Sequence, residues 1–230
     1  MFFLDSLWAA FELLLGFDPE LLRIVGVSLN VSFWSTLAAC VVGVPAGFLI
    51  GITGFRGKQA VITFFNTMLA LPTVVIGLLV YSVLSRRGVF GSLGWLYTQK
   101  AMIVGQIILI TPIIVAFTIA AVSRIDDRYR RTALTLGASR RQVAMVVLHE
   151  ARFGIMAAIV AAFGRVISEI GISMMLGGNA KGFTRTMTTA MALEYDKGEF
   201  VLALGLGVVL LGISLLVNVL LGYVQGRTRR

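Results

Sequence analysis

The chain is poor in the residues that build reactive centres. It has one cysteine, Cys40, one histidine, His149, and only 13% charged residues. A lone cysteine in an apolar run excludes an intrachain disulfide and a cysteine-based metal cluster within one subunit, and Cys40 reads as a small packing residue. One imidazole without a second His or a Cys is a poor start for a metal site or a nucleophilic triad, so His149 reads as a loop residue. Nucleotide motifs are lacking as well. In "GITGFRGKQ" Ile52 stands where a phosphate-binding loop needs its first glycine, Gln59 stands where Ser or Thr would hold magnesium, and no strand precedes it. "GLGVVL" lacks the third glycine of a dinucleotide fingerprint, and its small residues suit helix packing. The chain is therefore not expected to be an enzyme, and holds no cofactor or metal of its own.

Grease is what it has. Of 230 residues 58% are hydrophobic, and the mean hydropathy is +0.93, which marks a membrane protein. A helix crossing the bilayer core needs about 20 apolar residues, and five segments meet that length: 27–52, 60–84, 101–122, 154–176 and 200–223. The fold class is thus an all-α polytopic bundle. Pro45, Pro72 and Pro112 lie within these spans, as is common where helices kink against neighbours. Residues 1–19 are apolar over a shorter stretch broken by Asp5 and Glu12, and have no basic start. An interfacial helix carrying Trp8 and Phe11 fits them, with a sixth span as the rival reading.

The net charge of +9 points to topology rather than to nucleic acid. Twelve of the Lys and Arg residues fall on one side of a five-span path and seven on the other, while Arg165 lies inside a span. The richer side is expected to be cytoplasmic, which puts the acidic N-terminus outside and the C-terminus inside.

That path makes residues 123–152, "SRIDDRYRRTALTLGASRRQVAMVVLHEAR", a cytoplasmic segment too patterned for a connector. It reads as a helix, a break at Gly137 and a second helix capped by Ser139, both parallel to the membrane. Ala133, Leu134 and Leu136 flank the break with apolar contacts suited to a partner's groove. A basic loop lying on anionic headgroups is the plainer alternative, but it has no use for a glycine at a fixed break.

At these residues the chain resembles the membrane subunits of binding-protein-dependent ABC importers of the type I fold. Their cytoplasmic signature runs Glu-Ala-Ala, three residues, Gly, nine residues, Ile, one residue, Leu-Pro. Here Ala133 and Gly137 fall in place and Val147 replaces the Ile. Arg131 and Thr132 occupy the Glu and first Ala positions, and His149-Glu150 stands where Leu-Pro is usual. Over residues 20–225 the resemblance implies one transmembrane domain. The block "AAFGRVISEIGISMMLGGNAKGFTRTMTTAMALEYDKGEF" is similar to the branch that handles molybdate, sulfate and tungstate, and most of all to tungstate permeases.

The resemblance implies a homodimer in the inner membrane, since one copy of five spans gives half a pathway. Two cytoplasmic ATPase subunits, which carry the ATP and magnesium, would dock on Arg131, Thr132, Ala133, Leu134, Leu136, Gly137, Ala138, Ser139, Arg140 and Arg141. An extracytoplasmic oxyanion-binding protein would deliver the substrate.

In the fourth span Arg165 and Glu169 are four apart and share one helical face, with Ser168 beside them. A bare charge at bilayer depth costs about 2.5–3.5 kcal/mol on insertion scales, so they are expected to pair or to face water. A packing ion pair and a gate on the translocation path are equally open readings. Thr73, Thr111, Ser168 and Ser173 are the hydroxyl candidates for a wet path, each with a helix–helix hydrogen bond as the plain alternative. The polar run from Gly177 to Glu199, with Asn179, Thr184 and Arg185, reads as an outer gate or docking face whose helix is capped near Thr184. Two rivals from other classes are an intramembrane enzyme, with Glu169 as base and His149 as helper, and a passive channel. A helix from His149 to Glu169 would separate them by about 30 Å, beyond proton-transfer reach, and a channel needs no docking segment.

Overall fold

The computed structural model describes Trp8 and residues 19–227, with side chains through Val219 and at Tyr223. The expected interfacial helix over residues 1–19 lies outside the described residues, apart from Trp8 and Pro19. Every described element is helical: α1 (Pro19–Ile52), α2 (Lys58–Met68), α3 (Thr73–Leu84), a 3₁₀ turn (Gly91–Leu93), α4 (Gln99–Ser123), α5 (Asp127–Thr135), α6 (Arg140–Ile167), α7 (Gly171–Gly177), α8 (Met187–Asp196) and α9 (Phe200–Arg227). The bilayer core offers no water to exposed N–H and C=O groups, and a helix satisfies them within itself. Helices α1, α4, α6 and α9 are long and apolar enough to cross a membrane, and α2 with α3 make a fifth crossing if counted as one broken span.

Two of the five expected spans take a different course, and α1 begins eight residues before the expected 27–52. Residues 60–84 are not one helix but break over residues 69–72. Pro72 has no N–H to continue the ladder and biases Leu71 away from helical geometry, while its own carbonyl accepts the N–H groups of Val75 and Ile76. The expected span 154–176 is displaced: α6 begins fourteen residues earlier, at Arg140, and stops at Ile167. The second half of the 123–152 segment is therefore not a separate surface helix but the start of a membrane-length one, and His149 is a helical residue beside Arg152, not a loop residue.

The chain forms two compact units. Of the described residues, one comprises 19–35, 72–106 and 163–227. Its core gathers Leu21, Ile24, Ile167, Met187, Ala190, Leu206 and Val209; within it α8 packs on α9, and α3 on α7. Helix α4 meets α7 closely at Gly105, where a Cβ would lie 2.6 Å from Leu176 and 2.7 Å from Ile172.

The other unit comprises residues 36–71 and 107–162. Here Gly43, Gly47 and Gly51 recur every fourth residue along α1 and meet Ile114, Thr118 and Val122 of α4. Small residues at this spacing let two membrane helices approach along their backbones; a Cβ on Gly47 would lie 2.7 Å from the Val115 carbonyl oxygen. Val122, Val147, Ala151 and Ile155 complete its core. Lys58 donates to the carbonyls of Gly51 (2.7 Å) and Thr53 (3.0 Å) and so closes the end of α1.

Candidate functional site

Helix α6 is preceded and followed by a break, and the candidate residues gather at the two. Before it, α5 starts on Asp126, whose side chain accepts the Arg128 N–H at 2.9 Å. It ends in a Schellman motif: Ala138 N–H reaches back to the Ala133 carbonyl and Gly137 N–H to the Leu134 carbonyl, both at 3.0 Å. The motif needs a left-handed residue, and Gly137 has φ +80°. Ser139 then caps α6 as expected, in a reciprocal box with Gln142: Ser139 N–H donates to Gln142 Oε1 at 2.8 Å, and Gln142 N–H to Ser139 Oγ at 3.4 Å.

Because the backbone closes this elbow, its outward side chains are left over. Leu136 is 81% exposed and Leu134 49%. Arg131, Thr132, Arg140 and Arg141 are exposed, while Ala133 and Ala138 are half-buried. Tyr129, Ala133, Leu136 and Val146 line an open groove of about 560 Å³ beside the elbow.

The second break is built from side chains. Past Ile167, Ser168 Oγ lies within hydrogen-bond reach of the carbonyls of Gly164 (2.9 Å) and Arg165 (3.2 Å), and Glu169 N–H bonds Val166 in a tightened turn. Glu169 is only 4% exposed. Its Oε2 accepts Arg165 Nη1 at 2.5 Å and its Oε1 accepts the Ile172 N–H at 3.3 Å, while its carbonyl accepts Thr188 Oγ1 at 2.9 Å. The carboxylate therefore joins the end of α6 to the start of α7. Arg165 and Glu169 do pair, but not on one face of a continuous helix. Thr73 reaches the same place: a Cβ on Gly171 would lie 2.9 Å from Thr73 Oγ1 and 3.3 Å from Glu169 Oε1.

Ser173, also buried, accepts a long hydrogen bond from Gln106 Nε2 at 3.5 Å, and Gln106 Oε1 lies 2.8 Å from Ser35 Oγ. Gln106, the buried amide in this chain of polar groups, was missed by a sequence reading that looked for charges and hydroxyls. Thr111 is not brought to the break. It belongs to the other unit, and its hydroxyl donates to Ile107 of its own helix at 2.7 Å.

Residues 178–186 form a third cluster. Thr184 is buried, donates to the Gly177 carbonyl at 2.6 Å and accepts the Ala180 N–H at 3.0 Å. It organises the turn rather than capping the next helix; the cap of α8 is Thr186, in a capping box with Thr189. Asn179, at φ +49°, donates to the Thr189 carbonyl at 3.3 Å. Arg185 and Lys181 both reach Glu20 near the start of α1, at 3.3 Å and 2.7 Å.

Membrane-length helices joined through a capped elbow that leaves apolar residues bare define a class, the transmembrane subunits of type I ABC importers. A crystal form of the inward-facing MetNI methionine ABC transporter shares this fold, with a TM-score of 0.75 at 20% identity over 93% of this chain and 98% of that one. The chain belongs to the family of binding-protein-dependent transport system inner membrane components, whose model matches residues 43–230. It is 37% identical over 217 residues to the tungstate uptake system permease protein TupB of Peptoclostridium acidaminophilum, covering 94% of this chain and 95% of the relative. It is 38% identical over 213 residues to a probable anion ABC transporter permease of Haloferax volcanii, covering 90% and 92%.

Proposed function

We propose that the chain is the permease subunit of an ATP-driven importer of tungstate, with molybdate, nearly the same in shape and charge, as the alternative cargo. Residues 20–225 act as one transmembrane domain, with the N-terminus outside and the C-terminus inside, and two copies enclose the pathway. Two ATPase subunits dock on the elbow from Arg131 to Arg141, and an oxyanion-binding protein docks around Asn179, Thr184 and Arg185. ATP closes the ATPases, the elbows move with them, and the pathway turns outward; hydrolysis resets it. ATP and magnesium act on the partner, and the permease performs no chemistry.

The observation that carries this reading is the elbow. A left-handed Gly137 holds Leu134 and Leu136 out of the protein's own core, an arrangement that gains stability only when a partner covers it. The tungstate assignment is supported by likeness to a tungstate uptake permease along 94% of the chain. Thr73, Arg165, Ser168, Glu169 and Ser173 gate or line the path in this reading. Thr111, whose hydroxyl bonds the Ile107 carbonyl of its own helix, is a further candidate for the path's lining.

The test is uptake into vesicles holding the permease, its ATPase and candidate binding proteins, with tungstate, molybdate and sulfate measured by mass spectrometry. ATP-dependent accumulation of tungstate is expected. Uptake of an amino acid in place of any oxyanion would sink the substrate assignment.

A further inference from the structure

Where α1 begins, Glu20 draws in two cations from the 178–186 turn, and a third stands beside them. Arg23 lies against Gly182, its Nη1 3.1 Å from where a Cβ on that glycine would be. Arg23, Lys181, Arg185 and Glu20 line one cavity of about 300 Å³, backed by the apolar wall of Ile24 and Val27. Among the described residues, three cations against one carboxylate leave a surplus of two positive charges. The adjoining cavity, of about 330 Å³, shares Glu20, Lys181 and Arg185 and adds Lys197 with Glu194, paired at 2.8 Å; of the two cavities only the first also has Arg23. Among the described residues Arg23 has no side-chain partner. Neither helix packing nor the Glu169 break makes use of this charge.

We propose that this cavity is a binding site for a tetrahedral oxyanion dianion, a way station that receives the cargo before it enters the bundle. The inference rests on the proposed function for its placement on the outer face. The charge surplus matches a dianion, and the cavity admits a small anion but not a folded segment of a partner protein. Its cations differ in the freedom they have. Arg185, with a side chain only 14% exposed, is fixed by Glu20 and presents a preorganised guanidinium in a poorly hydrated wall. Lys181 and Arg23 stand at the rim, where they can follow an arriving anion. Glu20 holds the cations together in the empty site and competes with the ligand in the filled one. A transfer site must bind well enough to be entered and weakly enough to be left, and an internal carboxylate supplies that second condition.

The experiment is equilibrium dialysis of sodium tungstate against the detergent-solubilised permease–ATPase complex without binding protein, with tungsten counted by mass spectrometry. Saturable binding that weakens as salt rises is expected. The R23A/K181A double variant, altered at two exposed side chains, should keep its melting temperature and bind about tenfold more weakly. E20Q should bind more tightly than the parent. Absence of saturable tungstate binding in the parent, or equal binding by the double variant, overturns the site. So does a double variant that binds tungstate normally but no longer captures the binding protein, since the cations would then form a docking face. A transporter that imports no oxyanion yet binds tungstate here sinks the proposed function and keeps the site; one that imports tungstate without binding it here sinks the site alone.

Discussion

The two breaks flanking α6 are made in opposite ways. Before the helix the chain turns on backbone geometry, with Gly137 at φ +80° and two carbonyls satisfied by backbone N–H groups. After it the chain turns on side chains, with Ser168 over the last carbonyls and the Glu169 carboxylate bridging Arg165 and the first turn of α7. The first method leaves the neighbouring side chains unengaged, and they project from the protein. The second engages Arg165, Ser168 and Glu169 with one another or with the backbone, and it buries the Glu169 carboxylate. On the proposed function, the break that a partner touches is made from backbone, and the break that holds its shape among apolar helices is made from charge and hydroxyl.

The largest expected effect is at Glu169. Glu169→Ala strips Arg165 of its partner and leaves the Ile172 N–H without an acceptor. The loss is expected to be roughly 2–3 kcal/mol, below that of a fully buried pair because Arg165 is 40% exposed. Thermal denaturation in detergent measures it. Glu169→Gln keeps an acceptor for the Ile172 N–H and should fall between. Equal melting temperatures for all three proteins would mean that the carboxylate does not hold the turn.

At the other break, Gly137→Val forces a β-branched residue into left-handed geometry, at about 1–2 kcal/mol. The stability change should be smaller than at Glu169, but co-purification of the ATPase should fail, because the elbow is remade. Gly137→Asn, which tolerates the left-handed region better, should retain much of the ATPase. If Val retained as much as Asn, the geometry of the elbow would not matter to coupling.

The contrast also explains what could be read in the residues alone. Membrane-length apolar runs were legible because the hydrocarbon core asks for length and apolarity whatever the neighbours are. Gly137 was legible because a left-handed turn has a strong residue preference, and Ser139 because its partner Gln142 follows at cap spacing. The run of α6 from that cap into the membrane, and its far end, were not. Arg140, Arg141, His149, Glu150 and Arg152 have the composition of a wet loop, yet they belong to a helix that extends beyond its apolar stretch. No Pro stops α6 at Ile167, and Ser168 and Glu169 continue the helical spacing; the helix ends there because their side chains bind backbone groups, which needs the positions of α3, α7 and α8 to foresee. The Gly43, Gly47 and Gly51 stripe was visible at its four-residue spacing and went unread. Thr111 shows what spacing does not tell: its hydroxyl bonds the Ile107 carbonyl of its own helix, and a hydroxyl so engaged looks the same in sequence as one bonded across helices.

A smaller effect separates the two parts of the Glu169 break. Ser168→Ala removes one hydroxyl hydrogen bond and keeps the ion pair, and hydrogen bonds of this kind in membrane proteins average about 0.6 kcal/mol. A drop in melting temperature well below that of Glu169→Ala is expected. A drop as large would mean that the hydroxyl, not the carboxylate, terminates α6.

The smallest effect on stability is expected at Leu136, and it is the sharpest test of the contrast. With 81% of its surface exposed, the side chain has little to lose within the isolated permease, and Leu136→Asp should change stability by less than about 0.5 kcal/mol. If the elbow projects this residue for a partner's benefit, the same substitution should sharply reduce the ATPase recovered with the permease, because a carboxylate would be buried without a counter-charge. Loss of the ATPase at unchanged melting temperature separates docking from folding. Full retention of the ATPase would show that the most exposed large apolar side chain of the elbow is not in the contact, and the docking surface would then have to be sought on the Arg140 and Arg141 side of Gly137.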